Sequence, residues 1–168
     1  TEILLHTKPT VYEEGEVIDV GETAVCNLAS INLSSHLKVR TIDWKKLQKT
    51  VEVAVRGLDN VVNLNFYPTK EAKKSNLKHR PVGLGIMGTH DVLHKLGIPY
   101  NSQDAVILCG KIQEFISLHA IKTSALLAKE KGAYPSFEGS EWDKGNFPID
   151  TYCDLMNQRE SHRSDNVY

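Results

Sequence analysis

The 168-residue chain carries 20 Lys and Arg against 21 Asp and Glu, a formal charge of −1, so no overall field recruits nucleic acid or an anionic membrane. Hydrophobic residues make up 40% and charged residues 24%, the proportions of an ordinary globular protein with a real core. No apolar run approaches the roughly 20 residues that span a bilayer, and no signal-peptide pattern opens the chain. Its three cysteines, odd in number and far apart, do not form a secreted disulfide framework. We therefore expect a reducing, cytoplasmic setting, in which a disulfide is transient and catalytic rather than structural.

In chain order, Ile3, Leu4 and Leu5 predict a short buried strand over 2–6, ended by the Lys8-Pro9 step. The acidic stretch from Tyr12 to Glu22, with Gly15 and Gly21, reads as a surface loop. A second strand is expected over 23–28, and Ser30 to His36 as a short helix or ordered loop. Asp43 is a good N-cap for a helix over 43–66. Trp44, Leu47, Val51, Val55, Leu58 and Val62 then recur at spacings of three and four, one apolar stripe ending before Pro68. Thr69 to Lys78 is basic and reads as a solvated turn. Pro81 and Gly97 bracket a mostly apolar run, which predicts a helix over 81–96. Asn101 to Asp104 open the longest helix, over 102–131, stopped by Lys131-Gly132. The tail over 133–168 reads as irregular, with Trp142 and Phe147 as anchors. One domain or sub-domain is expected.

Few residues speak of chemistry. Glu2 stands at the end of an apolar strand, where burying an anion costs on the order of several kcal/mol unless it is paired. Its pKa would then be raised, as a general base near neutral pH requires; the plainer alternative is an exposed terminal carboxylate. Cys26 ends a short apolar run and is either a small buried hydrophobe or a working thiol. Gly83-Leu84-Gly85-Ile86-Met87-Gly88 fits the dinucleotide pattern G-x-G-x-x-G. The strand that must precede it is replaced by His79-Arg80-Pro81, so close packing of a glycine-bearing helix is the better reading. His90 and His94 have the four-residue spacing of metal ligands, but no third ligand is evident. Lys70, Lys73, Lys74, Lys78, His79 and Arg80 form a basic cluster without the aromatic interleaving of a nucleic-acid surface, and read as solvated.

The succession Thr1-Glu2-Ile3, then Ala24-Val25-Cys26-Asn27-Leu28-Ala29-Ser30, then Arg80-Pro81-Val82-Gly83-Leu84-Gly85 resembles the large, catalytic subunit of class I ribonucleotide reductase. The likeness continues through the Asn65-Phe66-Tyr67-Pro68 segment, Leu127 to Pro135 and Gly145 to Tyr152. The resemblance implies an α/β fold, a helix-rich portion of a ten-stranded α/β barrel. It implies that Glu2 is the proton acceptor or donor at the substrate 3′-hydroxyl, and that Cys26 is one of the two thiols that reduce the 2′-carbon. The other thiol of that pair lies upstream in the family, and Cys109 and Cys153 fall on no family motif and are expected to be inert.

The resemblance also places the radical cysteine immediately before Thr1. The chain opens without Met on a strand-like run, so we expect an interior portion of a larger protein, inactive alone. A break at that point fits an intein or split-gene junction, with the Thr1 hydroxyl as splicing nucleophile. No cofactor or metal is expected on this chain. ATP and dNTP effectors and the metal-radical cofactor would belong to the rest of the enzyme. The implied partners are the remainder of the large subunit, the radical-generating small subunit, thioredoxin or glutaredoxin, and a ribonucleoside diphosphate substrate; neither membrane nor nucleic acid is among them. Two readings compete: a helical scaffold domain derived from the same barrel, and a nicotinamide-dependent dehydrogenase built on Gly83–Gly88. The scaffold would have no reason to keep Glu2 and Cys26 together; the dehydrogenase would need a strand ahead of its glycines.

Overall fold

A computed structural model describes residues 7–150, 152 and 153. They fall into two compact units, Thr1–Tyr134 and Pro135–Tyr168. The expected strand over 2–6, and Glu2 with it, lies outside the described residues.

The first unit begins with a hairpin, β1 (Val11–Glu13) antiparallel to β2 (Glu16–Asp19). The expected loop from Tyr12 to Glu22 is thus largely an exposed two-stranded ribbon, turned by Glu14 and Gly15, both at positive φ. Gly21 is needed for space: a Cβ there would overlap the Lys8 carbonyl oxygen. Glu22 follows in an antiparallel bridge with Lys8, made by two backbone hydrogen bonds of 2.7 and 2.8 Å.

The next strand, β3, runs from Asn27 to Asn32 rather than over 23–28. Its partner explains the shift. β3 pairs in parallel with β6 (Val82–Met87), beginning at Asn27↔Val82. The residue before Val82 is Pro81, which has no N–H to offer a ladder. Cys26 therefore lies just ahead of the strand. The expected helix over 81–96 is corrected by the same pairing: only Thr89–Leu96 is helical (α3). Six apolar residues bounded by Pro81 and Gly88 suit a short strand, here half-buried at Gly83 and Leu84 and exposed elsewhere, and two glycines would each cost a helix about 1 kcal/mol. Gly88, at φ 77°, makes the turn between them, where a Cβ would press on Asn32 Oδ1.

Between β3 and β6 come a 3-10 turn at Leu33–His36, a small hairpin of β4 (Leu37–Lys38) with β5 (Thr41–Ile42), and two helices. α1 spans Trp44–Leu64, capped by the Asp43 carboxylate on the Lys46 N–H at 3.0 Å. α2 spans Lys70–His79, where a solvated turn was expected, and the Thr69 hydroxyl caps it on the Ala72 N–H. Ala72, Ser75 and Asn76 are buried, so one face of this basic helix faces the protein. α4 (Gln103–Lys131) closes the unit. The stripe Leu47, Val51, Val55, Leu58 and Val62 is buried as its spacing predicts, and most of it joins Ile31, Leu33, Val92, Ile112, Ile116 and Leu127 in the core. Trp44 stacks on Phe115 at 4.9 Å.

Buried His36 ties the end of β3 to α1. Its Nδ1–H donates to the Asn32 carbonyl at 2.9 Å, and Nε2 bonds the Thr50 hydroxyl at 2.8 Å, which leaves neither ring nitrogen idle.

The second unit is held by turns. The Glu141 carboxylate accepts from Lys144 and Asn146, and Trp142 meets Phe147 edge-on at 5.8 Å. Both expected anchors remain half exposed. A helical turn starts at Pro148, with the Asp150 carboxylate accepting the Phe147 N–H, a proline-first N-terminus with its cap satisfied.

Candidate active-site strands

The family-like residues converge on the parallel pair β3–β6. Its small side chains and glycines line a depression of about 330 Å³ walled by Leu28, Ala29, Ser30, Gly83, Leu84 and Gly85. Close backbone approach is possible here because Gly83 and Gly85 bring no side chain to the surface. Among the described residues no charged group lines it. The two glycines sit inside the strand, so there is no strand ahead of a phosphate-cradling loop and the dinucleotide reading fails.

Cys26 stands at the entrance to β3, half-buried, its Sγ 3.6 Å from the Asn27 carbonyl oxygen. No disulfide joins Cys26, Cys109 or Cys153. Cys109 is partly buried within α4 and Cys153 is exposed. The neighbouring Asn27 side-chain N–H group is buried without an acceptor among the described residues. Glu2 is not described, but the residues that follow it are tied to the Cys26 approach. The Thr7 hydroxyl accepts the Ala24 N–H at 3.2 Å, and Lys8 bridges Glu22.

The residue that sequence reasoning missed is Glu22. Its side chain is only 2% exposed, and it accepts from Lys78 Nζ at 2.6 Å and His79 Nε2 at 2.5 Å. The Lys78 hydrogen bond is the largest influence on its carboxyl; burial opposes it and His79 reinforces it, leaving a pKa lowered to about 2. The only sequence signal was an acidic residue directly after a glycine, and its partners lie more than fifty positions away. Lys78 and His79 close the last turn of α2, where cations complement the helix dipole.

Arg80 makes a second clamp. It holds a left-handed conformation, φ 47°, and its guanidinium reaches Asp59 through Nε at 3.0 Å and Nη2 at 2.6 Å, and Asn63 through Nη1 at 2.8 Å. Lys131 adds a 2.8 Å bond to the other Asp59 oxygen. Burial alone would raise the Asp59 pKa, but the bonds from Lys131 and Arg80 overcome it and hold it lowered. Lys74 meanwhile bonds Asp19 at 2.7 Å and the Val20 carbonyl. The basic cluster read as solvated is therefore mostly engaged: Lys74, Lys78, His79 and Arg80 each hold a carboxylate, while Lys70 and Lys73 face solvent.

His90 and His94 are both exposed, and His90 packs on Tyr100 at 5.7 Å. Among the described residues no three His, Cys, Asp or Glu side chains gather as metal ligands. Among the described residues no helix is long and apolar enough to cross a membrane.

The sequence that forms this unit has counterparts among known proteins. The model of the ribonucleotide reductase barrel domain matches residues 1–167. The ribonucleoside-diphosphate reductase subunit alpha of Chlamydia trachomatis is 52% identical over 159 residues, 95% of this chain and 14% of that protein. The subunit alpha of Helicobacter pylori is 48% identical over 147 residues, 88% of this chain and 18% of its own length. A vitamin B12-dependent ribonucleoside-diphosphate reductase of Thermoplasma acidophilum is 44% identical over 120 residues, 71% of this chain and 16% of its own. The chain belongs to the ribonucleotide reductase barrel-domain family. It spans about one-sixth of the length of these curated relatives, and within it β3 and β6 form an open pair rather than a closed barrel.

Proposed function

We propose that this chain serves in a ribonucleotide reductase that converts ribonucleoside diphosphates to 2′-deoxy products, with Cys26 as half of the reducing dithiol and Glu2 as proton acceptor or donor. The observation that carries the reading is the placement of Cys26, half-buried at the mouth of β3 beside the glycine-bearing β6. The names and extent of the related proteins support it.

The chemistry balances in one turnover. A thiyl radical formed on a cysteine of the family pattern upstream of Thr1 removes the substrate 3′-hydrogen, and Glu2 takes the 3′-hydroxyl proton. The 2′-C–O bond then breaks and its oxygen leaves as water. Cys26 and its partner thiol supply two electrons and two protons, form an S–S bond, and leave a C–H bond at the 2′-carbon. The 3′-hydrogen returns to its carbon, Glu2 gives its proton back to the 3′-oxygen, and the thiyl radical is regenerated. Thioredoxin or glutaredoxin reduces the disulfide afterwards.

The test is complementation. The chain is combined with separately produced flanking segments and a radical-generating small subunit, and cytidine diphosphate reduction is followed for wild type, Cys26→Ser and Glu2→Gln. Activity is expected only in mixtures that contain the wild-type chain, not Cys26→Ser or Glu2→Gln. Activity that survives Cys26→Ser with thioredoxin as reductant removes Cys26 from the dithiol. Activity that requires adenosylcobalamin in place of the small subunit moves the chain toward the Thermoplasma relative. A folded chain inactive in every combination favours the scaffold reading.

A further inference from the structure

Buried carboxylates need a reason, because a carboxylate buried in an ion pair gains no more stability than a well-packed apolar cluster does. Glu22 lies four residues before Cys26, and Lys78 and His79 lie three or four before Val82. Asn27 and Val82 open the β3–β6 ladder. The chain from Glu22 to Asn27, the ladder step to Val82, the chain back to His79 and the ion pair to Glu22 together form a closed ring. Cys26 is part of that ring. Pro81 denies the segment before Asn27 any ladder bond from β6, so the thiol is placed by the ladder at Asn27 on one side and, on the other, by the clamp at Glu22 and the Thr23 and Ala24 N–H bonds to the Glu71 carbonyl and the Thr7 hydroxyl. Behind the ring, Arg80 on Asp59 fixes the α2–β6 corner to α1.

We propose that Glu22, held by Lys78 and His79, is a positioning residue that sets where the Cys26 thiol stands and how readily it ionises. The proposal deepens the reading of Cys26 as the reducing thiol and rests on it for its catalytic meaning. Glu22 touches no reacting atom. It places the Thr23–Cys26 segment, and a shift of that segment changes the surroundings of the thiol and with them its thiolate fraction.

The experiment is site-resolved alkylation of the 168-residue chain with iodoacetamide across pH 6–10, read by mass spectrometry for each cysteine. In Glu22→Gln, the Cys26 rate at pH 7 changes by about threefold or more and its pH midpoint moves. Cys109 and Cys153 keep their wild-type rates and serve as internal reporters of the fold. Glu22→Asp, which keeps the charge, restores part of the wild-type profile. An unchanged Cys26 profile in Glu22→Gln, with Cys109 still at its wild-type rate, overturns the proposal. If Glu22→Gln unfolds and all three thiols react alike, His79→Gln decides: it leaves the Lys78 bond in place, and a displaced midpoint at Cys26 alone supports positioning, whereas no displacement refutes it. Alkylation needs no turnover, so failure here is distinguishable from failure of Cys26 as a reductant in the complementation assay.

Discussion

The α1–α4 seam and the Glu22 corner solve the same problem by opposite means. The seam joins two long helices through periodic apolar side chains, Leu47, Val51 and Val55 facing Ile112 and Ile116. The corner joins a loop, a helix end and a strand start through carboxylates and cations. Apolar packing tolerates small shifts, while a hydrogen-bonded ion cluster is satisfied in only one geometry. Cys26 lies four residues beyond Glu22, beside the second kind of joint, and the first kind supplies most of the buried apolar core.

Four changes would break or sharpen that contrast. Ile112→Ala removes a side chain only 1% exposed and is expected to cost about 2–5 kcal/mol in urea unfolding; a loss below about 1 kcal/mol would mean the seam is not the stabilising element. Glu22→Gln leaves Lys78 and His79 beside a neutral partner and is expected to cost about 2 kcal/mol, less than the seam because Lys78 remains partly solvated. The pH dependence has a definite sign. With its carboxyl lowered from 4.5 to about 2, Glu22 contributes stability that is full above pH 4.5 and disappears as pH falls toward 2. Wild type should therefore lose more stability than Glu22→Gln between those values. Asp43→Ala removes the α1 cap for about 1 kcal/mol. Arg56→Ala, at an exposed bidentate pair with Glu130, should leave the urea midpoint nearly unchanged, because solvent screens the pair.

The same contrast explains what could be read from sequence. α1 and α4 were legible because helical periodicity, the caps Asp43 and Ser102, and the stop at Gly132 all point one way. β6 was misread because a short apolar run is equally a helix or a buried strand until its partner is known, and that partner, β3, lies more than fifty residues earlier. The beginning of β3 was misplaced because it is Pro81, just ahead of the partner strand, that sets where pairing can start. Glu22 was invisible for a related reason: its environment comes from Lys78 and His79, and nothing within its own acidic stretch reveals that it is buried. Cys26 was singled out by resemblance alone, since a half-buried thiol has no distinguishing local pattern.

The most direct test of the account is a thiol count during a single turnover. The complemented enzyme is given cytidine diphosphate without thioredoxin, quenched, and alkylated, and the Cys26 peptide is quantified against the deoxycytidine diphosphate formed. The account predicts that one Cys26 thiol disappears into a disulfide for each deoxynucleotide produced, while Cys109 and Cys153 remain alkylated in full. Product formed with Cys26 still wholly reactive would contradict it.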